Sequence, residues 1–153
     1  MTYELIRVQD DADWASYHAI RRDVLWTARG LTGYDDKRPE ERLPDRYSLL
    51  LKLDTQPIGT TRLDDRGDGT GIVRLVAVRG DIQRQGHGTK LAAMVDDFAA
   101  ALGLHTLFVN AVADAVGYYE KLGWEYFDWD AAELALISGK GRQMKRFLAS
   151  RSR

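Results

Sequence analysis

QRQGHGTKLAAMV, Gln83 to Val95, sets two glycines one residue apart among polar and basic neighbours, then runs straight into apolar positions at helical spacing. Gly86 and Gly88 let a backbone approach a ligand closely, and the first amides of the helix they open have no acceptor within it. An anion suits such a place. Two familiar phosphate binders fail on spacing. Lys90 follows Thr89 without the second glycine of a Walker A loop, and Leu91 stands where a dinucleotide fingerprint needs its third glycine. Taken alone, the pair is better explained as a tight strand-to-helix turn.

The neighbouring sequence supplies the context. Leu91, Met94, Val95, Phe98, Ala99 and Leu102 continue a helix to Gly103, a residue suited to end it. Before the loop, YSLLLKL (47–53), PIGTTRL (57–63) and GIVRLVAV (71–78) are joined by turn-rich links and predict an antiparallel meander. Towards the N-terminus, LIRV (5–8) reads as a strand. DDAD then caps an amphipathic helix through Trp14, Tyr17, Ile20, Arg21, Val24 and Leu25, ending near Gly30. Residues 30–46 are polar and punctuated by Gly and Pro, with PEER able to form one short helix. After the long helix come a strand at HTLFVN (105–110), a short helix at DAVGYYEKL (114–122), a strand at WEYFDW (124–129) and a last one at QMKRFL (143–148). The class is α+β with a largely antiparallel sheet.

Composition narrows the function. With 153 residues the chain is expected to form one domain, 1–153, and a net charge of −1 exerts no general pull towards nucleic acid or membrane. The absence of Cys excludes a thiolate nucleophile and a Cys-based zinc site, and His18, His87 and His105 show no metal-ligand spacing, so no metal is expected. The N-terminal stretch has no signal-like apolar region and no run is long enough to span a bilayer; a cytoplasmic protein is the expectation. The basic tail KGRQMKRFLASRSR lacks interleaved aromatics and reads as a solvated strand edge and frayed end.

The order of pieces, LVAV (75–78), QRQGHG (83–88), the helix to Leu102, LFVN (107–110) and YYEKLGW (118–124), resembles the GNAT superfamily of acyl-CoA-dependent N-acetyltransferases. The motif-level match spans about a third of the chain, the rest agreeing as architecture. The resemblance implies a mixed, mostly antiparallel central sheet of six to seven strands with about four helices, splayed between strands four and five. It also implies that Gln83, Arg84, Gln85, Gly86, His87, Gly88 and Thr89 hold the pyrophosphate of acetyl-CoA, and that backbone amides of Val76 and Val78 pair with its pantetheine in the splay. His87 is expected to meet solvent or phosphate. Asn110 is placed on the cofactor side, although Val112 replaces an Asn often found there in the family.

For the chemistry, the resemblance puts the hydroxyl of Tyr119 near the departing sulfur, with Tyr118 burying its ring. Ile72 occupies the position where several relatives carry a basic Glu, which leaves Asp35, Asp36, Glu40, Glu41, Asp64 or a water chain to take the proton of the attacking amine. Arg62 and Arg74 interrupt adjacent strands. By strict alternation Arg74 shares the face of Ile72, Val76 and Val78, where its fork either binds a substrate carboxylate or pairs with an acid such as Asp64. The implied activity is direct acetyl transfer from acetyl-CoA to a primary amine of a small acceptor, one bearing an anion beside its amine, by a monomer or a homodimer. The competing reading is a CoA-binding regulatory or interaction module without catalysis.

Overall fold

Leu49, Leu50 and Leu51 are consecutive and fully buried, which a strand achieves only when both faces of its sheet are covered. Leu49 and Leu51 join the larger core, and Leu50 joins a smaller one on the opposite face. The structure is a computed structural model that describes residues 2–83, 85–137 and 139–148. Its strands are β1 (Tyr3–Arg7), β2 (Arg46–Leu53), β3 (Gln56–Asp65), β4 (Thr70–Val78), β5 (Thr106–Ala111), β6 (Glu125–Tyr126) and β7 (Arg142–Phe147). Its α-helices are α1 (Asp11–Arg21), α2 (His87–Ala101), α3 (Val116–Lys121) and α4 (Ala131–Leu134). One sheet holds all seven strands in the order β1-β2-β3-β4-β5-β7-β6, antiparallel everywhere except between β4 and β5. The mixed α+β architecture expected from the motif order is therefore present.

On one face α1 presents Trp14, Tyr17 and Ile20 to Val8, Leu50 and Ala77. On the other, α2 buries Leu91, Val95 and Ala99 against Leu49, Leu63, Val73 and Leu107. Asp10 caps α1 by accepting from the amide of Asp13 at 2.8 Å, as the acidic cluster predicts. Regular α geometry stops at Arg21; a wider π turn over Arg22–Trp26 and a 3₁₀ turn over Thr27–Arg29 carry the chain to Gly30, whose φ of 71° ends the helix. Residues 31–45 are irregular apart from one turn at Pro39–Arg42, the PEER segment.

The reading of WEYFDW as a full strand is corrected. Only Glu125 and Tyr126 form strand β6, because Asp130 ends the run by accepting from the amide of Glu133 at 2.9 Å and so capping α4. Among the described residues no helix is long and apolar enough to cross a membrane.

Candidate active site

β3 and β4 pair Asp64 with Ile72 and Arg62 with Arg74, but their next pair is Thr60 with Ala77. Thr61 therefore faces both Leu75 and Val76, and Leu75 takes a φ of 53°, a left-handed conformation that costs a non-glycine residue about 1–2 kcal/mol. This is a β-bulge, braced by Thr61 Oγ1 donating to the carbonyl of Arg74 at 2.9 Å. It resets the alternation of β4. Arg74 shares a face with Ile72 towards α1, whereas Val76 and Val78 pack on the larger core with Val73. The expected common face of Arg74 with Val76 and Val78 is thus wrong, because one inserted residue exchanges the faces beyond it.

The bulge also ends the pairing of β4 with β5, whose last partners are Val73 and Val109. Beyond them a gap of ≈ 690 Å³ opens, bordered by Leu75, Val76, Asn110, Ala111 and Tyr119. A second cavity of ≈ 360 Å³ is walled by Arg21, Tyr34, Glu41, Arg62 and Arg74. The two share Trp26, Leu75 and Asn110, so the bulge stands at their junction.

Charge in the second cavity is organised as a ladder. Arg21 Nη1 donates to Glu41 Oε1 at 2.6 Å and Arg62 Nη1 to the same oxygen at 3.1 Å. Arg62 Nε reaches Asp64 Oδ1 at 2.7 Å, while Arg46 Nη1 and Arg74 Nε both reach Asp64 Oδ2 at 2.8 Å. Arg74 then closes its fork on Glu133, at 2.8 and 3.1 Å. The protein pairing anticipated for Arg74 is what the structure contains, and its fork is not free for a ligand. Burial pushes the Glu41 and Asp64 carboxyls up, but the arginines outweigh it and hold both below the ordinary carboxylate range. Both are committed as counter-ions. Arg21 differs: it is 2% exposed, stacks 4.2 Å from the Tyr17 ring, and its Nε and Nη2 have no acceptor. Behind the wall, Tyr34 Oη lies 2.6 Å from Nδ1 of the buried His18.

The glycine loop follows β4. Gly86 has a φ of 85°, with open space where a Cβ would stand, and forms the N-terminal boundary of α2 without a side-chain cap. Lys90 N donates to Gly86 O at 3.1 Å, so the preceding amides of His87, Gly88 and Thr89 have no acceptor within the helix. Gln85 and Thr89 are exposed, and the Gln83 amide turns back to the carbonyl of Val78 at 2.9 Å. Arg84, assigned to the pyrophosphate, lies outside the described residues. The expectation for His87 is overturned: its ring is 6% exposed and its Nδ1 lies 2.8 Å from Tyr3 Oη, tying the first turn of α2 to β1. At Gly88 a Cβ would meet the Tyr118 ring at 3.3 Å, and the Tyr118 hydroxyl donates to the Gly88 carbonyl at 2.7 Å. The second glycine serves the packing of α2 on α3.

Tyr119 borders the gap, and its ring meets Trp124 edge-on at 5.3 Å. Burial pushes its phenol well above the ordinary value. Asn110 donates to Glu133 Oε1 at 2.8 Å and accepts from Gln143 Nε2 at 3.0 Å, so its amide cross-links β5, α4 and β7. Sequence reading missed Arg21, His18, Tyr34 and Glu133 as parts of this region. Two signals were available. A charge within the apolar stripe of α1 demands a buried partner, and Asp130-x-x-Glu133 has the spacing of a capping box.

A family model described as the acetyltransferase (GNAT) family matches residues 10–124. No curated protein sequence matches the chain. Among solved structures, a Lactobacillus plantarum protein assigned as an N-acetyltransferase superposes with a TM-score of 0.79 at 20% identity, over 97% of this chain and 100% of that one. N-acetylglutamate synthase from Neisseria gonorrhoeae, complexed with coenzyme A and N-acetyl-glutamate, gives 0.77 at 17% identity over 97% of this chain and 36% of its own. The ribosomal-protein-S18-alanine N-acetyltransferase of Escherichia coli gives 0.75 at 15% identity, over 99% and 97%. At such identities the likeness is one of fold.

Proposed function

Because the chain belongs to the GNAT acetyltransferase family, we propose that it transfers an acetyl group from acetyl-CoA directly to the primary amine of a small acceptor, and that residues 1–153 form one such domain. The observation that carries this reading is the gap opened by the Leu75 bulge, which meets a separate charged cavity at Trp26, Leu75 and Asn110. One side suits a thioester and the other an acceptor.

The residues present fit the donor. Arg79 N donates across to Ile58 O in β3 at 2.9 Å, so strand alternation turns the Val78 and Val76 amides the other way, towards the gap. Pantetheine pairs there, the open backbone at Gly86 and the free amides of α2 hold the pyrophosphate, and exposed Gln85 and Thr89 flank it. Acetyl-CoA supplies the activated acetyl thioester. Tyr119 faces the sulfur side and donates to the departing thiolate; with its phenol raised by burial it stabilises that charge by a hydrogen bond without surrendering its proton.

For the acceptor, one wall of the cavity is the ladder of Arg21, Arg46, Arg62 and Arg74 against Glu41, Asp64 and Glu133, with Asp45 as a further partner of Arg46. Arg62 and Arg74 shape and charge the wall, and Arg21, beside Tyr34 and with its Nε and Nη2 buried without an acceptor, is the guanidinium that a carboxylate would satisfy once the side chains covering it part. The same fold serves an enzyme complexed with N-acetyl-glutamate and one named for a ribosomal protein, so the acceptor class rests on this cavity.

The test is thiol release from acetyl-CoA with a panel of amines, each offered with and without an adjacent carboxylate. Amine-dependent release, strongest for the anionic members, is the expected outcome. A second reading, a CoA-binding module without catalysis, is favoured by Ile72 in β4 and by the commitment of Glu41 and Asp64 as counter-ions. Tight acetyl-CoA binding with no release from any amine selects it.

A further inference from the structure

An amine entering the charged cavity is an ammonium at neutral pH, and its proton must go somewhere before nitrogen can attack. The carboxylates of the ladder are unsuited to take it, since Glu41 and Asp64 are each bound by at least two arginines. Asp35 lies at the exposed rim. Tyr34 is different. It lines the cavity, and its hydroxyl lies 2.6 Å from an imidazole nitrogen that is itself behind the wall. The position of that imidazole is fixed by aromatic contacts: His18 stacks on Trp14 at 5.5 Å and meets Tyr17 edge-on at 5.4 Å.

We propose that Tyr34 and His18 form a proton relay for acetyl transfer, with Tyr34 as the catalytic residue that touches the amine and His18 as the base behind it. The inference rests on the acetyltransferase reading and adds to it the missing proton acceptor. The amine N–H donates to Tyr34 Oη while the Tyr34 hydroxyl proton passes to His18 Nδ1, so the phenol ends neutral and the imidazole becomes imidazolium. Nitrogen forms its bond to the acetyl carbon, the carbon–sulfur bond breaks with its electron pair leaving on sulfur, and the second surplus proton of the nitrogen passes to that thiolate, which departs as the CoA thiol. His18 returns the proton to solvent between turnovers.

The surroundings set the resting protonation states that the relay starts from. Burial and the Arg21 charge lower the His18 pKa, with Arg22 acting the same way and Glu41 and Asp36 opposing. The imidazole therefore waits neutral at physiological pH. Burial raises the Tyr34 phenol while Arg21 and Arg22 act against this, so Tyr34 also waits protonated and hands on a proton rather than storing a charge.

The experiment is the pH dependence of kcat/KM for an accepted amine at saturating acetyl-CoA, in wild type, His18→Asn and Tyr34→Phe. Asn keeps a hydrogen-bond acceptor where Nδ1 stood but takes no proton. Wild type is expected to show a plateau through neutral pH that falls below about pH 6.5, because the ammonium is bound and deprotonated on the enzyme. His18→Asn is expected to lose the plateau and rise about tenfold per pH unit with the free amine, and Tyr34→Phe to lose about a hundredfold in kcat near neutrality. Acetyl-CoA affinity by calorimetry should stay unchanged in both, showing the variants folded. Identical pH profiles in wild type and His18→Asn, or a Tyr34→Phe turnover within about threefold of wild type, overturn the relay while leaving acetyl transfer intact. Absence of amine-dependent thiol release in wild type overturns the transfer reading, and the relay with it.

Discussion

Arg62 stands directly opposite Arg74 across β3 and β4, and both guanidiniums donate to the same carboxylate, Asp64. Two like charges at facing positions repel, so the pairing is tolerable only with the acid between them. Asp64→Asn leaves Arg46, Arg62 and Arg74 around a neutral amide. The variant should lose about 3–5 kcal/mol of stability, read as a fall in melting temperature of roughly 10 °C. An unchanged melting temperature would show that solvent already neutralises these arginines.

Acid should destabilise the protein in two steps. His18 is held neutral in the fold, its pKa below the ordinary value mainly through burial, so the unfolded chain binds its proton first and stability declines as pH falls below about 6.5. Glu41 and Asp64 have lowered pKa values, so their contribution is complete above about pH 4.5 and is lost as pH falls through their folded values. Denaturant midpoints measured against pH should show both declines, and His18→Asn should abolish the first while leaving the second.

Gly86→Val tests the donor loop. The valine has room, but not the φ of 85° that glycine adopts, and a β-branched residue resists that region most. Acetyl-CoA affinity should fall at least about tenfold, the energy of moving one residue out of the left-handed region, while the circular dichroism stays that of wild type. Equal affinity in a folded variant rejects the loop as the anion site.

Tyr119→Phe should lower turnover by about tenfold to a hundredfold, at the chemical step. The lower end is favoured because the phenol is pushed further above the pKa of a thiol, so it offers a hydrogen bond more readily than a proton. A single-turnover rate equal to wild type would leave the ring as packing against Trp124 only.

Arg21→Lys keeps a charge beside Glu41 but loses the planar fork. The KM of amines bearing a carboxylate should rise by about tenfold or more, that of neutral-tailed amines should change little, and acetyl-CoA affinity should be unaffected. A uniform change across both amine classes would mean that Arg21 acts on the fold and not on the acceptor.

The sequence was most legible where local chemistry and long-range structure agree. The Leu49–Leu51 run, the glycine loop and the apolar repeat of α2 each declare one conformation, and the structure adopts them. Legibility failed at Leu75, because nothing in GIVRLVAV marks a leucine for a left-handed backbone, and one such residue exchanges the faces of all that follow in β4. It failed again at His87, whose environment is set by Tyr3, 84 positions away in the chain. The charged cavity was hidden for the same reason: Arg21 in α1, Tyr34 and Glu41 in the irregular 31–45 segment, and Arg74 in β4 meet only in the fold.

The bulge at Leu75 also has an evolutionary reading. A chain lacking that single residue would restore plain alternation in β4, and the strand could zip onto β5 beyond Val73 with the gap sealed. Substrate access is thus one codon from closure: a three-base deletion should yield a sturdier, inert sheet, while most point substitutions nearby leave the opening in place. Deep mutational libraries that include deletions should therefore find position 75 tolerant of glycine and of unbranched side chains, resistant to β-branched ones, and intolerant of loss.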